Sequence, residues 1–194
     1  MALVRSTRAA ALAAGAAFLG LAIGAVVLVD ALGDGSTQAA AADGVPAAVT
    51  RDGLAAHLER APTDGRAWVM LARLEFDADR FRQAADAYER GLAASRKVAL
   101  DAGVWCEYAD ALGMAQGGRL DGRPRELIER ALALDARHSK ALEMAGSAAY
   151  ERGEYALAQR YWRALLAQLP ESSPAYRELS AAIARAGRFG VGRS

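Results

Sequence analysis

The sequence predicts an all-α solenoid, a fold in which similar helix pairs stack side by side. Three segments of the chain carry the same bulky and small residues at matching offsets, and this self-similarity is the main observation. The equivalent small residues are Ala72, Ala109 and Gly146, each 37 residues after the one before. A fixed period of this length is typical of repeat proteins whose unit is one pair of helices.

The residues inside each segment follow the tetratricopeptide (TPR) pattern, W-x2-L-G-x2-Y and then A-x3-F. In the first repeat Trp68 and Leu71 match the opening of the pattern, and Ala84 and Tyr88 match its second part. Small residues let helices approach closely, while large ones fill the space between pairs. We therefore predict about three TPR repeats. The matching residues of the other two repeats are Trp105, Tyr108, Ile128, Ala131, Leu142, Ala158, Trp162 and Leu165.

Two insertions interrupt the even spacing of the repeats. Tyr88 and Ile128, in successive second helices, are 40 residues apart, whereas Ile128 and Trp162 are 34 residues apart. The extra residues fall in segments 94–102 and 115–124, where Gly, Arg or Lys are frequent. We predict that both segments are surface loops, because loops tolerate added residues.

Each end of a solenoid needs a cap, since terminal repeats otherwise expose an apolar face. Residues 54–62 predict the second helix of an incomplete repeat before the first full one. After the third repeat, an apolar stripe that includes Leu179 and Ile183 predicts a capping helix. This helix is expected to start near Ser173 and to end at Gly187.

The N-terminal region predicts one transmembrane helix before the solenoid. Residues 9–29 contain no charged side chain, and a helix of that length spans about 30 Å, the thickness of a bilayer core. Arg5 and Arg8 precede the stretch, which favours a cytoplasmic N-terminus and a remainder across the membrane. A cleaved signal peptide is the alternative interpretation, because small residues follow the apolar stretch. A buried core helix is disfavoured, since the stretch is apolar all round.

These observations divide the chain into five parts. The linker that follows the anchor consists of small residues without periodicity, which is typical of a flexible tether. The predicted parts are a cytoplasmic N-terminus (1–8), a transmembrane anchor (9–30), a flexible linker (31–52), the TPR domain (53–187) and a flexible tail (188–194).

The composition argues against nucleic-acid binding, catalysis and metal binding. The 24 basic and 23 acidic side chains nearly cancel, and their interleaving is typical of solvated helix faces. No nucleophile elbow, phosphate loop or zinc-binding helix motif occurs, so we expect no enzymatic activity. His57 and His138 are 81 residues apart, without a second ligand at helical spacing. We therefore expect no metal or haem cofactor.

One block of the second repeat carries a more specific resemblance. The block YADALGMAQGG, residues 108–118, contains a long Gly-rich turn that an ordinary TPR repeat does not need. With its surroundings, roughly residues 54–186, it resembles the periplasmic module of cytochrome c biogenesis proteins of the CcmI/CycH/NrfG type. Many members of the CcmI branch have two transmembrane helices, where this chain is predicted to have one, as in the shorter NrfG-like layout.

The resemblance implies a membrane-anchored periplasmic TPR chaperone. The expected partners are apocytochrome c, the haem ligation complex and the inner membrane, with no nucleic acid. The TPR groove of this family binds the C-terminal region of apocytochrome c and presents its Cys-x-x-Cys-His segment for haem ligation. The alternative is a generic TPR scaffold for another cell-envelope complex, against which the Gly-rich block argues.

The first helix of each pair lines the concave surface of a TPR fold, which assigns candidate groove residues at fixed offsets from Trp68 and its equivalents. The mixture of cations and apolar surface suits an amphipathic helix that ends in a carboxylate. We hypothesise that Arg66, Arg73 and Lys140 attract the acidic groups or the terminus of the ligand; the alternative is that they are ordinary solvated residues. The predicted groove residues are Arg66, Val69, Arg73, Phe76, Cys106, Asp110, Lys140, Glu143, Ser147 and Tyr150.

Cys106 is the only cysteine, and it allows two interpretations. A mixed disulfide with a cysteine-containing ligand is one of them. The interpretation that we favour is a small, half-buried structural thiol beside Trp105.

Overall fold

The computed structural model describes residues 50–191, and this part of the chain folds into nine α-helices without a strand. The predicted all-α class and the TPR-type helix pairs are therefore confirmed for this region. α2 and α3, α5 and α6, and α7 and α8 form the three pairs, with α1 before them and α9 after them. The helices are α1 (Arg51–Arg60), α2 (Gly65–Asp77), α3 (Phe81–Ala94), α4 (Arg96–Ala99), α5 (Ala102–Ala115), α6 (Arg123–Leu134), α7 (Ser139–Glu151), α8 (Tyr155–Leu166) and α9 (Pro174–Val191).

The predicted transmembrane helix at residues 9–30 lies outside the described residues. Within the described range, none of the helices has the length and apolar content needed to span a bilayer. α1 begins at Arg51, two residues before the predicted start of the TPR domain at residue 53.

Small residues lie where the two helices of a pair cross, as the repeat pattern predicts. Ala72 and Ala109 have no exposed surface, and Gly146 holds the equivalent position in the third repeat. A Cβ atom on Gly146 would lie 2.2 Å from Nε1 of Trp162, so the indole occupies the space that a side chain would need. The third pair thus combines the smallest residue with the largest one to keep its core closely packed.

The first helix of each pair begins at a side-chain N-cap, and the three caps lie at equivalent positions of the repeats. Asp64 accepts hydrogen bonds of 3.1 Å from two backbone N–H groups in the first turn of α2. Asp101, which is 37 residues later, accepts one of 2.9 Å in α5. In α7 this role belongs to His138, whose Nδ1 accepts a backbone N–H at 3.3 Å. Ser139 is therefore not the cap, although a serine at a helix start favours that assignment.

The indoles of Trp68 and Trp105 tie each first helix to the loop before it. Each Nε1–H donates to the carbonyl oxygen six residues earlier, at 2.9 Å in both repeats. A guanidinium from the paired second helix lies over each ring, Arg90 at 5.0 Å and Arg130 at 5.7 Å from the ring centroid. Both rings are consequently half-buried, whereas Trp162 is buried as a filler between helices.

The turn inside each pair closes with the same hydrogen-bond geometry. In the first repeat the N–H of Arg80 donates to the carbonyl oxygen of Glu75, and Asp79 between them has a left-handed φ of 57°. Gly117 and Gly153 hold that left-handed position in the other two repeats, with φ of 79° and 75°. This arrangement is the Schellman motif, which satisfies the last carbonyl groups of a helix.

The turn of the second repeat continues beyond this motif and fills its own interior. Leu120 is 5% exposed, and its Cδ2 lies 3.0 Å from the place of a Cβ on Gly113. In the first repeat this end of the pair is filled by Phe76 and Phe81, packed edge to face with ring centroids 5.2 Å apart. The third repeat uses the corresponding tyrosines at 5.3 Å. The predicted loop at 115–124 is therefore partly a core element.

The other insertion contains a short helix where a loop is predicted. Residues 96–99 form α4, and the hydroxyl of Ser95 accepts a hydrogen bond of 3.4 Å from the N–H of Val98. Val98 is 6% exposed, so the segment is held against the core. The prediction of an irregular loop was wrong because a capping serine precedes an apolar residue here.

Both ends of the solenoid are covered by single helices, as predicted. Leu54 and Leu58 of α1 pack on α2, and Ala186 of α9 is buried in a cluster with α8 residues. The predicted end at Gly187 was wrong, since α9 continues to Val191. A Cβ on Gly187 would lie 2.8 Å from a side chain of α8, so close packing accounts for the glycine without a helix end.

Candidate peptide-binding groove

The helices α2, α5 and α7 share one surface, which we call the first-helix face, and they carry the predicted groove residues at different depths. Arg66, Arg73, Lys140 and Glu143 are exposed, Phe76, Asp110, Ser147 and Tyr150 are partly buried, and Val69 and Cys106 are buried. The face therefore offers charges at its surface and apolar groups below them.

Two ion pairs join neighbouring repeats across this face. Arg73 donates two hydrogen bonds to the Glu107 carboxylate, at 2.9 and 2.8 Å, and this contact raises the pKa of the guanidinium. Nζ of Lys140 lies 3.6 Å from the Asp110 carboxylate. Arg73 and Lys140 thus each have an acidic partner in an adjacent repeat, with which a ligand carboxylate would have to compete.

A cavity of about 320 Å³ opens between α2, α4 and α5. Val69, Val98 and Val104 form its buried apolar lining, and Met70 contributes a side chain that is 38% exposed. The charged lining residues are Arg66, Arg73, Lys97 and Asp101. An apolar floor with a few charged groups is the usual composition of a binding site.

Arg66 and Lys97 are the cations of this cavity that are available to a ligand. Neither forms an ion pair with any other residue of the described region. The Asp101 carboxylate caps α5, and the Arg73 guanidinium is held by Glu107. Lys97 was missed by sequence reasoning because it belongs to the inserted segment and has no counterpart in the repeat pattern.

Cys106 is a buried structural residue, and its thiol is not available to a ligand. It is 1% exposed, and its Sγ lies 3.7 Å from Nδ1 of His138. Burial raises the pKa of the thiol to about 12, so it stays protonated at neutral pH and is a poor nucleophile. The expected half-burial beside Trp105 is corrected to full burial against the α7 cap.

Phe76 and Tyr150, the two aromatic residues among the predicted groove residues, lie at the C-terminal ends of α2 and α7. Phe76 packs on Phe81, and Tyr150 contacts Tyr155, Trp162 and the half-exposed Phe189 of α9. Their role is to close the pairs and to attach α9. Nowhere in residues 50–191 do three or more potential metal ligands gather.

Comparison with known sequences identifies the family. Residues 51–176 match the family described as “Cytochrome c-type biogenesis protein H TPR domain”. A “Cytochrome c-type biogenesis protein CycH” from Bradyrhizobium diazoefficiens is 35% identical over 118 residues, or 61% of this chain and 31% of the relative. The protein of the same name from Pseudomonas aeruginosa is 32% identical over 135 residues, or 68% of this chain and 32% of the relative. The chain thus spans about a third of the length of these relatives.

Solved structures share the architecture at low sequence identity. MamA is 14% identical with a TM-score of 0.56, covering 72% of this chain and 76% of that one. The first TPR domain of human RPAP3 is 18% identical with a TM-score of 0.51, covering 66% and 98%. These likenesses concern the fold alone. The family match, in contrast, contains all three helix pairs and the cavity, and the chain belongs to the cytochrome c-type biogenesis protein H family of TPR domains.

Proposed function

We propose that this chain acts in cytochrome c-type biogenesis as a membrane-anchored TPR chaperone that holds apocytochrome c in the periplasm. The family and both CycH relatives support the process. The observation that carries the binding role is the cavity between α2, α4 and α5, with its apolar floor and its two available cations. Such a surface suits an amphipathic segment with an acidic end.

In this proposal the chain supplies binding and presentation, and the chemistry belongs to the haem ligation complex. The C-terminal region of the apoprotein lies on the first-helix face, which leaves its Cys-x-x-Cys-His segment accessible to that complex. The buried, protonated thiol of Cys106 supports a role without disulfide exchange. Residues 9–30 hold the chain in the inner membrane.

Affinity purification with the full chain from cells that cannot ligate haem tests the client. We expect apocytochrome c to co-purify with the native chain. Met70→Glu places a charge in the apolar lining and should lower the recovery about tenfold, as loss of about 1.4 kcal/mol of binding free energy would. Leu100→Glu is the matched control, because Leu100 is 61% exposed and does not line the cavity. Recovery of other envelope proteins without apocytochrome c would contradict the proposal and favour a generic scaffold.

A fusion of alkaline phosphatase to the C-terminus of the full chain tests the location. The enzyme is active only after export, so the proposal predicts activity in intact cells and its loss when residues 9–30 are deleted. An inactive fusion that is stably produced would contradict a periplasmic TPR domain.

A further inference from the structure

The charges that are left unpaired along the first-helix face have opposite signs at its two ends. The first repeat contributes Arg66 and Lys97, as described above. At the other end of the face, α7 carries Glu143 five residues after its cap. Glu143 is exposed and forms no ion pair within residues 50–191.

The middle of the face is neutral. The pairs Arg73–Glu107 and Lys140–Asp110 match each cation with an acid of an adjacent repeat.

The cavity at the end of the face is positively charged. Its lining contains Arg66, Arg73 and Lys97, and these three cations outnumber the carboxylates of Asp101 and of Glu107, the partner of Arg73. A ligand therefore meets positive charge at the first repeat and negative charge at Glu143 of the third repeat.

The positive end of the face contains the cavity between α2, α4 and α5. The connection between the second and third repeats has no helix like α4 and forms no equivalent cavity wall. Lys97 and Val98 come from α4, which lies in the seven-residue stretch between the ends of α3 and α5. α6 and α7 are separated by residues 135–138 only, with no helix between them. The binding surface is thus asymmetric along the solenoid, although its repeats are alike.

We infer that a helical ligand lies on the first-helix face in one direction, with its C-terminal carboxylate in the cavity beside Arg66 and Lys97. This inference rests on the proposed function, because it specifies how the apocytochrome segment is held. The macrodipole of a helix places partial negative charge at its C-terminus and partial positive charge at its N-terminus. The C-terminal end therefore matches the cavity, and the N-terminal end matches Glu143.

Paramagnetic relaxation enhancement measures the direction in which the peptide lies on the first-helix face. The probe is a peptide of about 20 residues, enough for a helix of about 30 Å, with the C-terminal sequence of a c-type cytochrome from the same organism. It carries an isotope-labelled residue near each end. A nitroxide is attached to the full chain at Leu100→Cys, next in sequence to the lining residue Asp101 but outside the lining, or at Glu178→Cys of α9, while the buried thiol of Cys106 stays unmodified. The reduced, diamagnetic label gives the reference spectra.

The Leu100→Cys label is expected to broaden the C-terminal resonance of the peptide and to spare the N-terminal one, and the Glu178→Cys label to do the reverse. The opposite pattern, or equal broadening at both ends, overturns the inferred direction and leaves the proposed function intact. Absence of saturable peptide binding to the native chain overturns both.

Amidation of the peptide tests the carboxylate itself. We expect amidation to weaken binding to the native chain about tenfold, and to have less than about a twofold effect on the Arg66→Ala/Lys97→Ala variant. Arg96→Ala is the control, because Arg96 is an exposed neighbour on α4 that does not line the cavity. An equal loss in the native chain and the double variant, or no loss in the native chain, overturns the assignment of the carboxylate to this cavity.

Discussion

The turns inside the first and second repeats solve the same problem with different residues. Both begin with a Schellman motif, but Phe76 and Phe81 fill the end of the first pair, whereas Leu120 fills the second from within its own turn. The longer turn of the second repeat therefore supplies Leu120, which takes the place of the aromatic pair. The Schellman motif determines where the helix ends, and the residue that fills the end of the pair determines the length of the turn.

The two turns also differ in the polar group that anchors them. The first uses Glu75, a carboxylate that is 4% exposed and accepts hydrogen bonds from Arg51 of α1 and from Arg80. The second uses the amide of Gln116, which donates to the carbonyl oxygens of Arg119 and Asp121. Only the first of these anchors carries a charge, so the two turns should respond differently to pH.

Removing the filler of the second turn is expected to have the largest effect. Leu120→Ala should lower the free energy of unfolding by about 2–4 kcal/mol, because it deletes a buried side chain and leaves a cavity. Chemical denaturation of the full chain, followed by circular dichroism, measures this change. Leu100→Ala is the matched control and should be neutral, since Leu100 is 61% exposed. Equal stability of the two variants would mean that Leu120 is not a core residue.

Gly117 tests the closing motif that the turns share. Its φ is 79° and no atom lies within 4 Å of a Cβ placed there, so Gly117→Ala introduces backbone strain without a clash. We expect a loss of about 1 kcal/mol in the free energy of unfolding. The same measurement on Asp79→Gly should give a small gain, because glycine adopts the left-handed conformation at Asp79 more readily. A neutral result for both variants would argue against strain at this position.

Substitution of Glu75 tests whether the charge of the first anchor matters, and it has the smallest expected effect on the free energy of unfolding. Burial raises the pKa of its carboxyl, but the hydrogen bonds and charges of Arg80 and Arg51 outweigh burial and lower it overall. A lowered folded-state pKa means that the stabilisation is complete above the unfolded value of about 4.3 and is lost as the pH falls through the folded value. Because the side chains of Arg51 and Arg80 are 57% and 41% exposed, solvent screens both ion pairs, and Glu75→Gln should cost about 0.5 kcal/mol at pH 7. The variant should also lose less stability than the native chain on acidification. If the free energy of unfolding fell equally in the two chains as the pH was lowered, this role of Glu75 would be contradicted.

The sequence predicted the parts of the fold that depend on periodic packing. Ala72, Ala109 and Gly146 mark the helix crossings correctly, because the space at a crossing limits side-chain size in every repeat. The cap of α7 follows the same period, because the 37-residue interval from Asp64 and Asp101 leads to His138, although the neighbouring Ser139 is the commoner type of capping residue.

The candidate site was predicted less well than the fold. Arg66 and Val69 do line the cavity, but Lys97 lies in an insertion that no repeat pattern describes. The partner of Arg73 also went unnoticed, because an ion pair depends on side-chain reach between helices and not on the period. A separation of 34 residues between Arg73 and Glu107, close to one repeat, is the signal that was present.

The two ion pairs between repeats have a mechanical consequence. Each joins first helices that are neighbours in the solenoid, so any change in superhelical pitch must stretch or break a contact such as Arg73–Glu107. Their side chains are about 36–54% exposed, so each pair contributes only about 0–1 kcal/mol to this resistance. The spacing of neighbouring first helices is therefore fixed mainly by the packing of the buried residues between them, and the ion pairs add a small restraint at the surface.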